Sequence, residues 1–181
     1  MKQLRPSVVG GAAALAMFLC AASSATVAAQ THGSGIEKIS SYAGTWTSRI
    51  VHYATKYSKA RVETATVRND CWRSADYYSC HQFVDGRSSA LIVYTYDAKH
   101  RLYHTHAIPQ DGNPAPSGLL TITGNTWMFP WQDRDGGKTV YVRIVNVFRN
   151  PRTIDFRQEF SLDNTHWTKT ADGVEHRTAT P

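Results

Sequence analysis

Hydrophobic and polar residues alternate over short stretches along most of this chain, from Thr45 almost to its end. The stretches are rich in Val, Ile, Thr, Tyr, Phe and Trp, which favour β-strands. Turn residues such as Asp85-Gly86, Gly124-Asn125 and Asp172-Gly173 separate them and supply the backbone angles of tight reversals. The pattern predicts ten strands and leaves an eleventh open at 175–178. The ten predicted strands are 45–52, 62–71, 77–84, 89–97, 102–108, 118–123, 126–132, 139–149, 153–162 and 166–170.

Only the segment 34–42 has a helical pattern, and it predicts one short N-terminal helix. Ser34 and Glu37 have the spacing of a capping box, and Ile36 and Ile39 fall on one face. The connections between strands are too short for parallel crossovers, which indicates an antiparallel meander. Closing such a sheet removes its exposed edges, so we predict an all-β, up-and-down barrel. Periodicity alone leaves a β-sandwich open as the second architecture.

The N-terminus has the pattern of a secretory signal peptide. Lys2 and Arg5 form a basic start, 8–19 is apolar but short for a membrane span, and small residues follow. We predict cleavage after Ala29, so that residues 1–29 are the signal and 30–181 form a single barrel domain. The protein is then periplasmic or secreted.

Three cysteines remain to be placed in such a compartment. Cys20 leaves with the signal, and the bulky Leu19 before it disfavours the alternative of a lipid anchor. Cys71 and Cys80 remain, and an oxidising environment favours one disulfide between them. Their C-x8-C spacing is not that of redox or zinc motifs.

Composition and charge exclude several classes of protein. With 41% hydrophobic and 11% aromatic residues, the chain is not intrinsically disordered. The formal charge is +6, and removing the two basic residues of the signal leaves 18 basic against 14 acidic residues, or +4. These basic residues are spread singly, which argues against a nucleic-acid partner. No second apolar stretch reaches the length of a membrane span in the mature chain. The oligomeric state stays open.

Three short motifs occur in order along the predicted meander. They are Gly-Thr-Trp at 44–46, Tyr-Thr-Tyr-Asp at 94–97, and Ser-Leu-Asp-Asn-Thr-His-Trp at 161–167. Together they resemble an uncharacterised lipocalin-like, calycin-type family of exported bacterial proteins. The resemblance implies a barrel whose floor is closed by Trp46, with Arg177 packed across it. It implies no activity, because these motifs are structural.

One predicted strand carries an aromatic stripe. Trp127, Phe129 and Trp131 alternate, so their rings project to one face. If that face is the lumen, they form a wall for a small apolar or aromatic ligand, and the polar Gln158 on another inward row can reach the same ligand. Alternatively the rings fill the core, or they face outward as a partner surface. Pro130 indicates a bulge or an edge position within this strand.

A second hypothesis is a metal-dependent or acid/base enzyme. His104 and His106 lie two apart on one strand and can share a metal, with His100 in the preceding turn. We find no G-x-S-x-G, glycine-rich phosphate loop or H-E-x-x-H motif, so we assign no catalytic residue and no cofactor. The proline-rich loop 109–117 is either a lid over the barrel mouth or a solvated connector.

Overall fold

The computed structural model of the protein describes residues 35–179. A 3₁₀ helix at Gly35–Tyr42 is followed by ten strands. The strands are β1 Gly44–His52, β2 Arg61–Ser74, β3 Tyr77–Val84, β4 Arg87–Asp97, β5 Leu102–Pro109, β6 Gly118–Thr123, β7 Thr126–Asp135, β8 Lys138–Asn150, β9 Thr153–Ser161 and β10 Thr168–Ala179. The predicted signal peptide, with Cys20, lies outside the described residues.

The ten strands form a closed antiparallel barrel in sequence order. Each strand pairs with the next, and β1 also pairs with β10 from Thr45–Ala179 to His52–Ala171. The predicted up-and-down barrel is therefore confirmed, and the β-sandwich is excluded. Within residues 35–179, no helix is long and apolar enough to cross a membrane.

The last strand differs from the prediction. Asp172-Gly173 is not a turn between a tenth and an eleventh strand, because β10 runs through it without a break. Gly173 pairs with Ile50 on one side and Phe156 on the other. A Cβ on Gly173 would lie 2.1 Å from the backbone oxygen of Arg49. The glycine therefore permits a close approach of two strands, because it has no Cβ.

The N-terminal helix closes one end of the barrel. It is a 3₁₀ helix rather than an α-helix, and its Ile36, Ile39 and Tyr42 are buried. It packs against β3 and β4, and the Tyr103 hydroxyl donates to the Gly35 carbonyl at 2.6 Å. We call this the closed end. The opposite end carries the β1–β2, β3–β4, β5–β6, β7–β8 and β9–β10 connections, and we call it the open end.

Pro130 occupies an edge-like position inside a closed sheet. It pairs with Arg143 of β8, and the β7–β8 register has no bulge. On its other side, β6 pairs with β7 only as far as Met128. Pro130 therefore lies where β7 has one neighbour, which is where a strand tolerates a missing N–H donor. Of the two predicted alternatives, the structure shows the edge position.

Candidate functional site

The closed half of the interior is a packed aromatic floor. The ring of Tyr42 lies 4.5 Å from that of Trp127 and 4.8 Å from that of Phe148, in edge-on contacts. The Trp46 indole N–H donates to the Tyr42 carbonyl at 2.9 Å, and the Arg177 guanidinium lies 4.6 Å from the centre of the Trp46 ring. The Trp–Arg contact that the family resemblance implies is thus present.

The open half of the interior is less tightly filled. Ala65, Ala90, Ala107 and Trp131 point inward and pack on the core, yet each keeps part of its surface exposed. Exposure of an inward side chain indicates that solvent reaches it, either from the open end or through the gap beside the short β6, where β5 and β7 lack a second paired strand. We call this space the cup. Its other half-buried inward side chains are Val142, Gln158 and Phe160.

The cup has two kinds of wall. On β2, β4 and β5 the inward positions are the small Ala65, Ala90 and Ala107. On β7 and its neighbours they are larger, because Trp131 pairs with Val142, which in turn pairs with Phe160. A wall of methyl groups thus faces a wall that carries aromatic rings.

The three rings of the predicted aromatic stripe lie at different depths along the barrel axis. Trp127, Phe129 and Trp131 all face inward, so the outward partner surface is wrong for this stripe. Trp127 and Phe129 are buried, and Trp127 belongs to the packed floor. Trp131 alone of the three is half-buried in the cup. The inward Gln158 lies between Ile144 of β8 and Ala171 of β10.

A strap that the sequence did not reveal crosses the open end. In the β1–β2 connection, the Tyr57 ring lies edge-on at 4.7 Å from Phe160, and its hydroxyl donates to Asp135 Oδ2 at 3.0 Å. Lys56 forms an ion pair with the same carboxylate. The strap thus runs from the β1–β2 edge to the β7–β8 hairpin. Its sequence lacks the prolines and glycines that mark functional loops, and both of its anchors are distant along the chain.

The proline-rich loop runs beside the wall of the barrel. The Ala115 N–H donates to the Ala107 carbonyl at 2.8 Å, and the Gln110 N–H to the Ser89 carbonyl at 2.9 Å. These bonds hold the loop along the edges of β4 and β5, where the short β6 leaves backbone groups to be satisfied. Of the predicted alternatives, this arrangement favours a connector over a lid.

A polar cluster marks the rim of the cup at β1 and β2. His52 Nε2 lies 3.2 Å from Glu63 Oε2, and Arg61 donates to that oxygen at 2.8 Å. Burial lowers the pKa of His52, and the charge of Arg61 lowers it further. His52 is therefore held in its neutral form near pH 7, and the rim carries one carboxylate paired with one guanidinium.

Glu175 is a buried carboxyl inside the barrel. It pairs with Ser48 of β1 and Ile154 of β9, and only 6% of its surface is exposed. Within the described chain, no basic side chain forms an ion pair with it. Burial raises the pKa of Glu175 to about 7. Sequence analysis missed this residue because nothing in the local pattern shows which face of the last strand is inward.

Three side-chain amides, those of Asn69, Gln82 and Asn146, are buried inside the barrel. The Asn146 amide donates to the Tyr42 hydroxyl at 2.6 Å, and the Gln82 amide donates to Asn69 Oδ1 at 3.1 Å. Asn146 Oδ1 and Asn69 Nδ2 are buried without a partner among residues 35–179. Buried polar groups are normally satisfied, so these atoms indicate bound water or a ligand.

The two candidate metal ligands lie outside the barrel. Tyr103 and Thr105 are the buried residues of β5, which places His104 and His106 on its outer face. His106 Nδ1 is 3.0 Å from the Ser117 hydroxyl. His100 instead contacts Asp97, at 2.5 Å. The described part of the chain holds no group of three or more His, Cys, Asp or Glu that could bind a metal. The prediction of a shared face is right, but no further ligand joins the pair.

The chain is similar to solved structures, and not to family models or curated proteins. No protein-family model matches the chain, and no curated protein matches it. Among solved structures, the crystal structure of Rv2717c from M. tuberculosis is similar, with 10% sequence identity and a TM-score of 0.45. The alignment covers 80% of this chain and 97% of that one.

Proposed function

We propose that this chain is an exported protein that binds a small apolar or aromatic molecule in the cup. The observation that supports this most is the partial exposure of inward apolar side chains under an incomplete cover. A monomeric core normally buries such positions, whereas a binding site keeps them accessible until the ligand arrives. Trp131 and Phe160 supply aromatic contact area, and Gln158 supplies a polar group that can orient the ligand.

The energetics favour an apolar ligand. Removing apolar surface from water contributes roughly 25 cal/mol per Å², so a ligand that buries about 200 Å² against these walls gains about 5 kcal/mol before the costs of association. The charged groups of the rim, Arg61 and Glu63, satisfy each other and leave the cup wall itself uncharged. The strap then shields one side of the bound molecule from solvent.

The test is a ligand titration with a filled-cup variant. Intrinsic tryptophan fluorescence of the wild-type protein is expected to change on titration with naphthalene derivatives, monoterpenes or medium-chain alcohols, because Trp131 lies in the cup. Ala107→Phe places a ring in the cup and is expected to weaken binding by at least about tenfold. Ile108→Phe is the matched control, since residue 108 faces outward and is 42% exposed. Equal binding by the two variants contradicts a site in the cup.

Export and the disulfide are part of the same proposal, and one mass measurement tests both. Cys71 and Cys80 lie opposite each other in the β2–β3 register and are both buried, which supports a cross-strand bond. Protein recovered from the periplasm or medium is expected to begin at Gln30 and to weigh two hydrogens less than the reduced chain. Reduction is expected to cost roughly 2.5–3 kcal/mol of stability. A protein that retains its N-terminal segment contradicts export with cleavage. A mass that does not change on reduction contradicts the disulfide.

A further inference from the structure

Glu175 stands apart from the other acidic residues that face the barrel interior. Glu63 at the rim is paired with Arg61 and His52, whereas the structure gives Glu175 neither an ion pair nor a hydrogen bond. Burying a carboxylate without a partner is costly, so proteins keep such groups mainly where they do something. The proposed ligand-binding function does not yet use this group.

The groups that face Glu175 come from each element around it. β1 and β9 contribute Ser48 and Ile154, neither of which titrates in this range. The N-terminal helix contributes Tyr42, and burial raises the pKa of its hydroxyl well above the usual value. The charge of Glu175 raises the pKa of Tyr42 further, which shows that the two groups are near each other.

The nearest basic side chain on the same strand is used elsewhere. Arg177 also faces inward, two residues beyond Glu175, but its guanidinium lies over Trp46 and donates to the Ser41 carbonyl. It therefore belongs to the floor and leaves Glu175 without a cation. Toward the open end, the next inward position on β10 is Gly173, where no β10 side chain lies between Glu175 and Ala171 and the β1 backbone packs close instead.

We propose that Glu175 is the anchor for a positively charged amine on the ligand, so that the barrel selects a small molecule with an apolar body and a primary ammonium group. This inference rests on the proposed function of the cup. The ammonium supplies the missing counter-charge and up to three hydrogen-bond donors. Asn146 Oδ1, which is buried without a partner on an amide that bonds to the Tyr42 hydroxyl, is a second acceptor.

The experiment compares three probes that share one apolar body: 3-phenylpropylamine, 3-phenylpropan-1-ol and 3-phenylpropanoate. Each is titrated into the full mature protein at pH 8, with tryptophan fluorescence excited where the phenyl group does not absorb. The amine is expected to bind about tenfold more tightly than the alcohol, because it forms one charge-assisted hydrogen bond that the alcohol lacks. The carboxylate is expected to bind more weakly than either. At pH 5 the advantage of the amine is expected to disappear, because Glu175 is then protonated.

The Glu175→Gln variant tests the anchor independently of the binding site in the cup. In this variant, amine binding is expected to fall to the level of the alcohol, while alcohol binding stays within about twofold of wild type. Glu63→Gln, at the rim, is the matched control and is expected to keep the preference for the amine. Two results contradict the anchor while leaving the binding site in the cup intact. In one, the wild-type protein binds the alcohol as tightly as the amine; in the other, the Glu175→Gln variant still binds the amine more tightly than the alcohol. If none of the three probes binds, the proposed function itself fails for this class of ligand, and the anchor fails with it.

Discussion

Replacing Trp46 with alanine is expected to destabilise the barrel by about 3–5 kcal/mol, the usual range for removing a large buried aromatic side chain. Trp46 is 0% exposed, and three interactions end on it. Its indole N–H donates to Tyr42, its ring stacks under Arg177, and Phe148 packs on its edge at 6.4 Å. Truncation leaves a cavity and also frees the Arg177 guanidinium from its partner.

The measurement is urea unfolding followed by circular dichroism, with Trp72→Ala as the matched control. Trp72 is 50% exposed on β2 and is expected to cost about 1 kcal/mol or less when truncated. An equal loss in the two variants would show that Trp46 is not the centre of the floor. The comparison holds the type of substitution constant and varies only burial.

Replacing Glu175 with glutamine is expected to stabilise the protein at pH 8 by about 3 kcal/mol. Burial raises the pKa of Glu175 from 4.5 to about 7, so the folded state holds a proton that the unfolded state has released between these values. Wild-type stability is therefore expected to fall as pH rises from about 4.5 to about 7, and to stay low above it. Glutamine has no charge to bury and removes this dependence.

The free energy of unfolding of both proteins, measured from pH 4.5 to pH 8, tests this expectation. The wild-type curve should slope downward with pH relative to the variant, and the two should converge at the acidic end. Asp76→Asn is the control for loss of one negative charge, because Asp76 is exposed in the β2–β3 turn. Parallel curves for wild type and Glu175→Gln would mean that the carboxyl finds a partner in solution.

The strands of this fold are predictable from sequence because their signal is local. Alternation places nine of the ten strands within a few residues of their observed bounds, for example 77–84 and 118–123. The tenth was divided at Gly173, since a turn glycine and a glycine that permits close strand approach look alike in one sequence. Its role depends on Arg49, more than a hundred residues earlier.

The site was less predictable because facing and depth are long-range properties. Spacing shows that His104 and His106 share a face, but only the register with β4 and β6 shows that the face is outside. Likewise Trp127 and Trp131 belong to one row, and the helix that buries the first lies elsewhere in the chain. The burial of Glu175 could not be predicted for the same reason, since a single carboxyl in a short stretch does not show which way it faces.

The pairing of β1 with β10 means that the protein is exposed to edge-to-edge aggregation until its last strand has paired. The seam joins the two ends of the sheet, so every partial chain that lacks the last strand presents two unpaired edges to its neighbours. Such intermediates can associate through those edges while synthesis is under way.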